Sequence, residues 1–76
     1  MRHGRDDYNA RIQDRANLIP MDEPVFLLRG QDKLAPRIVR MYADECERAG
    51  CDEKHVAEIR AHALEMTNWR PKKVPW

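Results

Sequence analysis

The chain has 76 residues, of which 42% are hydrophobic and 36% are charged, and 14 Lys and Arg against 13 Asp and Glu leave a formal net charge of +1. This composition is too apolar for a disordered chain, too charged for a membrane protein, and too balanced for a nonspecific DNA-binding protein. No run approaches the ~20 apolar residues of a membrane span, and no apolar segment follows the N-terminus as in a secretory signal. We therefore expect one small cytoplasmic domain, and a core this limited predicts a homo-oligomer.

Residues 1–24 predict a polar arm followed by a proline-bounded linker. Only Tyr8 and Ile12 are spaced to hold a short helix against a neighbour, so we expect the arm to be frayed or ordered by a partner. The apolar run Val25-Phe26-Leu27-Leu28 predicts a short strand or a buried extended segment. Because the sequence offers no second strand, a sheet would need another chain, and we expect this run to pack between subunits.

Residues 25–69 predict the domain proper, a mainly α fold in which an antiparallel helical hairpin follows the apolar extended segment. Pro36 and Gly50 bound a first helix of roughly 35–49. Asp52 is placed to cap a second helix that ends near Asn68, and the short connection forces the two helices to be antiparallel. The spacing of apolar residues predicts an inner face on each helix. On the first it comprises Leu34, Ile38, Met41, Tyr42, Cys46 and Ala49, and on the second Val56, Ile59, Ala63 and Met66.

Residues 70–76 predict an extended basic tail, because prolines interrupt it and two tryptophans border it. A tryptophan left in water wastes much apolar area. We therefore expect Trp69 to pack on the hairpin, and Trp76 to dock on the N-terminal segments or on a neighbouring subunit.

A cationic cluster surrounds the start of the first helix and comprises Arg29, Lys33, Arg37 and Arg40. Cations oppose the partial positive charge of a helix N-terminus, so this pattern needs another reason. One reason is an anion site made of backbone N–H groups and these side chains, with Gly30 allowing close approach of a phosphate. The alternative is a solvated face in which Arg40 pairs with Asp44, Asp44 with Arg48, and Arg37 with Asp22 or Glu23.

Several kinds of chemistry lack their usual residues. The spacing of Cys46, Cys51, His55 and His62 fits no common zinc pattern, so we expect no metal. The sequence contains no serine, its sole threonine is Thr67, and its glycines are isolated, so neither catalysis nor a cofactor is expected. The second helix begins with acidic residues, which argues against duplex DNA as a partner.

A resemblance to a group of short phage and prophage proteins is carried by one continuous run, and more loosely by the hairpin as far as Trp69. The run is Ile19-Pro20-Met21-Asp22-Glu23-Pro24-Val25-Phe26-Leu27-Leu28-Arg29-Gly30-Gln31-Asp32, continuing through Ala35-Pro36. The resemblance implies a viral accessory protein that acts in a bacterial cytosol. Some small helical phage proteins, the anti-CBASS sponges, sequester nucleotide immune signals, and this chain is similar to them in size, helical character and local charge.

Together these features favour a homo-oligomeric counter-defence protein that sequesters a cyclic nucleotide or another phosphate-bearing signal. The four cations would neutralise phosphates, and Tyr8, Tyr42, Trp69 or Trp76 would stack on a base. The alternative is an inhibitor that binds a host protein through a helix face or through its Trp-ended tail. Neither hypothesis involves a membrane.

Overall fold

The computed structural model describes residues 1–74, and Pro75 and Trp76 lie outside the described residues. The elements in chain order are β1 (Arg2–His3), α1 (Tyr8–Arg11), β2 (Pro24–Val25), α2 (Ala35–Arg48) and α3 (Glu53–Asn68). The protein is mainly helical, because α2 and α3 are long and pack against each other, while β1 and β2 form a small two-stranded sheet. The prediction of two long helices in these places is confirmed.

The turn between α2 and α3 follows from local sequence. Gly50 has a φ of 82°, a left-handed conformation that favours glycine after a helix end, and its N–H donates to the carbonyl of Glu47 at 3.1 Å. Asp52 caps α3, because its carboxylate accepts a hydrogen bond from the backbone N–H of Lys54 at 2.8 Å. Arg60 contacts Glu47 near the end of α2, so the chain reverses direction and the helices are antiparallel.

The core between the helices confirms the inner face predicted for α3. Val56, Ala63 and Met66 are buried there, and Ile59 packs against the cluster formed by Val56 and two residues of α2.

The inner face predicted for α2 is wrong except at Cys46. The residues of α2 that are buried are Ala35, Pro36, Ala43 and Cys46, whereas Leu34, Ile38, Met41 and Tyr42 are between 46% and 60% exposed. Ala43 and Ala63 are both fully buried, and such small residues let two helix backbones approach closely. The helices therefore meet along the small side chains of α2, and its larger apolar side chains face outward.

The N-terminal arm folds back on its own chain. The two strands are parallel, with Arg2 paired with Pro24 and His3 with Val25. The terminal amino group also donates to the carbonyl of Pro20 at 2.7 Å. The expectation that the arm is frayed or ordered by a partner is therefore not met in this structure. The expectation that a sheet needs another chain is wrong, since the first residues of the same chain supply the second strand.

The segment after α3 runs beside residues 31–33. The N–H of Lys73 donates to the carbonyl of Gln31 at 2.7 Å, and the carbonyl of Lys73 accepts from the N–H of Lys33 at 2.9 Å. The described part of the chain is flat, with extents of 31 × 31 × 17 Å. An α-helix with its side chains is ~10–12 Å across, so the third dimension leaves little room for another layer over the helix pair. Within residues 1–74, no helix combines the length and apolar character that crossing a membrane requires.

Candidate anion-binding groove

An open groove lies where the start of α2 meets the end of α3. Its volume is about 330 Å³, at the lower end of the ~300–1,000 Å³ of small-molecule sites. The residues that line it are Lys33, Pro36, Arg37, Arg40, Thr67, Arg70 and Lys72. Five of these seven carry a positive charge, and among the described residues no carboxylate lines the groove. We call this feature the cationic groove.

Backbone and hydroxyl groups hold several of these cations in place. The Arg40 guanidinium donates to the Thr67 hydroxyl oxygen at 3.4 Å, and that hydroxyl donates to the carbonyl of Ala63 at 3.0 Å. Arg70 donates to the carbonyl of Thr67 at 2.9 Å. Lys72 donates to the carbonyls of Gly30, at 2.6 Å, and of Met66. Arg70 and Lys72 therefore satisfy carbonyls at the negative end of the α3 dipole, which gives them a structural role in addition to their charge.

The acidic residues of α2 are engaged elsewhere. Asp44 and Glu47 both pair with Arg60, at 3.0 and 3.2 Å, and these hydrogen bonds raise the pKa of the Arg60 guanidinium. Glu45 pairs with Arg48 at 3.0 Å. The pairs expected for a solvated face, such as Arg40 with Asp44, do not form.

The cationic groove carries a local excess of positive charge. Within residues 1–74, none of the five groove cations is within ion-pair distance of a carboxylate. Charges of one sign that converge on a concave surface attract a counter-ion of the opposite sign.

Two backbone N–H groups at the start of α2 already have hydrogen-bond partners. The side chain of Asp32 accepts the N–H of Leu34 at 2.8 Å, and its carbonyl accepts the N–H of Ala35 at 3.2 Å. Gly30 lies against Trp69, because a Cβ at this position would be 3.1 Å from the indole, and it lines a different hollow from the cationic groove. The groups that line the groove are therefore mainly side chains, and the role of backbone N–H groups and of Gly30 in binding a phosphate stays a prediction.

Arg29 is separated from the other three predicted cations. Its guanidinium lies 3.4 Å from the Tyr8 hydroxyl, on a different hollow of the surface. Tyr8 is only 4% exposed, and the guanidinium carbons of Arg5 and Arg11 lie 4.6 and 5.3 Å from the centroid of its ring. In this structure Tyr8 is part of the N-terminal packing and does not present a face for stacking on a base. Beside it, hydrogen bonding from Arg5 lowers the pKa of the Asp7 carboxyl.

Two of the predicted aromatic residues are exposed, although neither lines the cationic groove. Trp69 packs its indole against Gly30 and directly precedes Arg70. Tyr42 lies on the outer face of α2, where a hydrogen bond with Cys46 raises the pKa of its hydroxyl. The prediction for Trp76 falls outside the described residues.

Sequence reasoning missed that Thr67, Arg70 and Lys72 belong to the same site as the cations of α2. The basic composition of residues 70–73 was a signal, but nothing in it indicated that the tail turns back beside residues 31–33. The peptide bond between Arg70 and Pro71 is cis.

No metal centre accompanies the groove in the described part of the chain, where no three His, Cys, Asp or Glu side chains gather in a way that could hold an ion. Comparisons with protein families, with characterised proteins and with solved structures find no match for this chain. The chemistry of the groove is therefore the basis for assigning a function.

Proposed function

We propose that this protein is a small, non-catalytic phage accessory protein that binds a phosphate-bearing nucleotide signal in its cationic groove and so sequesters it in the host cytoplasm. The observation that carries the proposal is the convergence of five cations with no carboxylate among them. A phosphate group matches such a site, because guanidinium groups donate paired hydrogen bonds to its oxygens.

The contacts of each cationic side chain in the groove indicate its role in binding. Arg70 and Lys72 already donate to backbone carbonyls, so they would supply fixed charge at the rim. Lys33, Arg37 and Arg40 are exposed, and the guanidinium of Arg40 makes one long hydrogen bond within residues 1–74, to Thr67. These three side chains would bind the phosphate oxygens directly. The exposed ring of Trp69, next to Arg70, is the aromatic surface best placed to stack on a base.

Isothermal titration calorimetry of the full chain tests the proposal. The panel comprises inorganic phosphate, cyclic dinucleotides and trinucleotides, and ADP-ribose derivatives. A charge-assisted hydrogen bond contributes ~1.5–3 kcal/mol, so Arg40→Gln is expected to weaken binding of a recognised nucleotide about tenfold to a hundredfold. Affinity is also expected to fall as salt is added, because the groove is open to solvent.

The matched control is Arg15→Gln, which removes an equal charge from an exposed arginine outside the groove. This variant is expected to bind with nearly unchanged affinity. No heat and no thermal shift with any member of the panel would reject the proposal, and so would equal weakening in the two variants.

A different class of function, an inhibitor that binds and blocks a host protein, is favoured by one observation. Trp69 is 59% exposed, and it lies beside Arg70. Trp and Arg are the residue types that most often anchor protein interfaces. A specific host protein that is retained from a bacterial lysate by the unmutated chain, and lost with Trp69→Ala, would favour this function over nucleotide binding.

A further inference from the structure

The outer face of α2 carries an apolar stripe that the rest of the described chain does not cover. The stripe consists of Leu34, Ile38, Met41 and Tyr42, which fall on one side of the helix because they are spaced by three and four residues. Each of the four is about half exposed or more. The opposite side of α2 is the one that packs on α3, so this helix is apolar on two faces and covered on one.

The size of the stripe distinguishes it from scattered surface residues. Four large side chains at this exposure present a few hundred Å² of contiguous apolar surface, as much as the largest patch on a typical monomer. We propose that a second copy of this chain covers the stripe, with the two α2 helices packed antiparallel about a two-fold axis between Ile38 and Met41. The dimer and the proposed nucleotide site share Lys33 and Arg37, so each proposal is tested by its own measurement.

Charge along α2 favours a second copy in that orientation. Glu45 continues the line of the stripe toward the C-terminal end of the helix, whereas Lys33 and Arg37 flank its N-terminal end. Glu45 pairs with Arg48 of its own chain at 3.0 Å, so a contact across the dimer would share or replace that pair. Antiparallel pairing brings Glu45 near Lys33 and Arg37 of the partner subunit. Parallel pairing would bring Glu45 against Glu45 of the partner subunit, and like charges in a close interface are unfavourable. Because of the two-fold axis, the contact between Glu45 and the cations at the start of α2 would form twice, once at each end of the paired helices.

The proposed dimer interface differs from the one expected from the sequence. The run Val25-Phe26-Leu27-Leu28 was predicted to pack between subunits, but Val25 is already paired with β1 of its own chain. The stripe on α2 has no comparable partner within residues 1–74. A two-fold interface also suits a chain whose own core is limited to two helices.

Sedimentation equilibrium of the full chain without ligand tests the dimer. We expect the unmutated protein to dimerise reversibly, and Ile38→Asp and Met41→Lys each to raise the dimer dissociation constant roughly tenfold or more. Leu64→Asp is the matched control, since Leu64 is a 60% exposed leucine on α3, outside the stripe. It is expected to leave the dimer intact. Circular dichroism establishes that each variant keeps its helices.

A charge exchange tests the orientation. Glu45→Arg is expected to weaken the dimer, and adding Arg37→Glu in the same chain is expected to restore it. A protein that stays monomeric at millimolar concentration would overturn the proposal. A dimer that survives Ile38→Asp and Met41→Lys but is lost with Phe26→Asp would overturn it too, and would identify the apolar run as the interface. Both measurements are made without ligand, so their outcome is distinguished from that of the calorimetry that tests nucleotide binding.

Discussion

Replacing Gly50 with L-alanine isolates the backbone cost of the turn that joins α2 to α3. The φ of 82° at this residue is left-handed, and a Cβ built there meets no atom within 4 Å. The substitution therefore creates no clash, and its cost is conformational alone. A left-handed L-residue costs roughly 1–2 kcal/mol, and the reduced freedom of alanine in the unfolded chain offsets ~0.4–1 kcal/mol of that. We expect a net loss of about 1 kcal/mol in the free energy of unfolding.

Urea unfolding followed by circular dichroism measures this loss. In a domain of this size, about 1 kcal/mol corresponds to a decrease of ~4–8 °C in melting temperature. Gly50→Asn should lose less, since asparagine visits the left-handed region more readily. Chemical synthesis also allows D-alanine at position 50, where it should stabilise the protein because its preferred φ is positive. If L-alanine and D-alanine shift stability in the same direction, the left-handed turn is not the source of the effect.

Three further outcomes are expected. Asp52→Ala should cost ~0.5–2 kcal/mol in urea unfolding because the cap of α3 is lost, whereas Asp52→Ser should keep most of that stability. Ala63→Leu should cost ~1–3 kcal/mol by overfilling the contact between the helices. Ala61→Leu, on the exposed side of the same helix, should stay within ~0.5 kcal/mol, and a larger loss there would contradict this account of the core. Desolvation around the thiol and a hydrogen bond with Cys46 raise the pKa of Cys51 from its ordinary value of 9.0. Fewer thiolates are then present at a given pH, so iodoacetamide should alkylate Cys51 more slowly in the folded protein than in urea at pH 8, as mass spectrometry would measure. Equal rates in the two states would contradict the raised pKa.

The helices were predictable because their signals are local. Pro36, Gly50 and Asp52 act within one turn of where they stand, and the structure places each of them as the sequence indicates. The spacing of large apolar residues on α2 gave a wrong prediction of its inner face. The helix carries two stripes, and spacing alone does not say which one faces α3. Which stripe of α2 faces α3 depends on Ala43 and Ala63. Their small size has an effect only once the two helices lie opposite each other.

The N-terminal sheet and the cationic groove could not be predicted in the same way. Strands of two residues, such as Arg2–His3, are too short to produce an alternating pattern. Lys33, Arg37 and Arg40 were identified from sequence as one cluster, and the structure keeps them together. Arg29 does not line the groove, whereas Arg70 and Lys72 do. Both differences from the sequence prediction depend on the path of the tail beside residues 31–33. That path is set by contacts between residues far apart in the chain.

Both the N-terminal arm and the segment after α3 are held against residues 20–33 by contacts between distant parts of the chain. The helices join across a short turn, whereas the link from Met1 to Pro20 closes a separation of 19 residues, and that from Gly30 to Lys72 one of 42. Closing a longer loop costs more entropy, so the link from Gly30 to Lys72 is the more costly of the two. Lys72 also needs the end of α3 in place, since it binds the carbonyl of Met66. The cationic groove therefore depends on this distant contact, because Lys72 is one of the cations that line it.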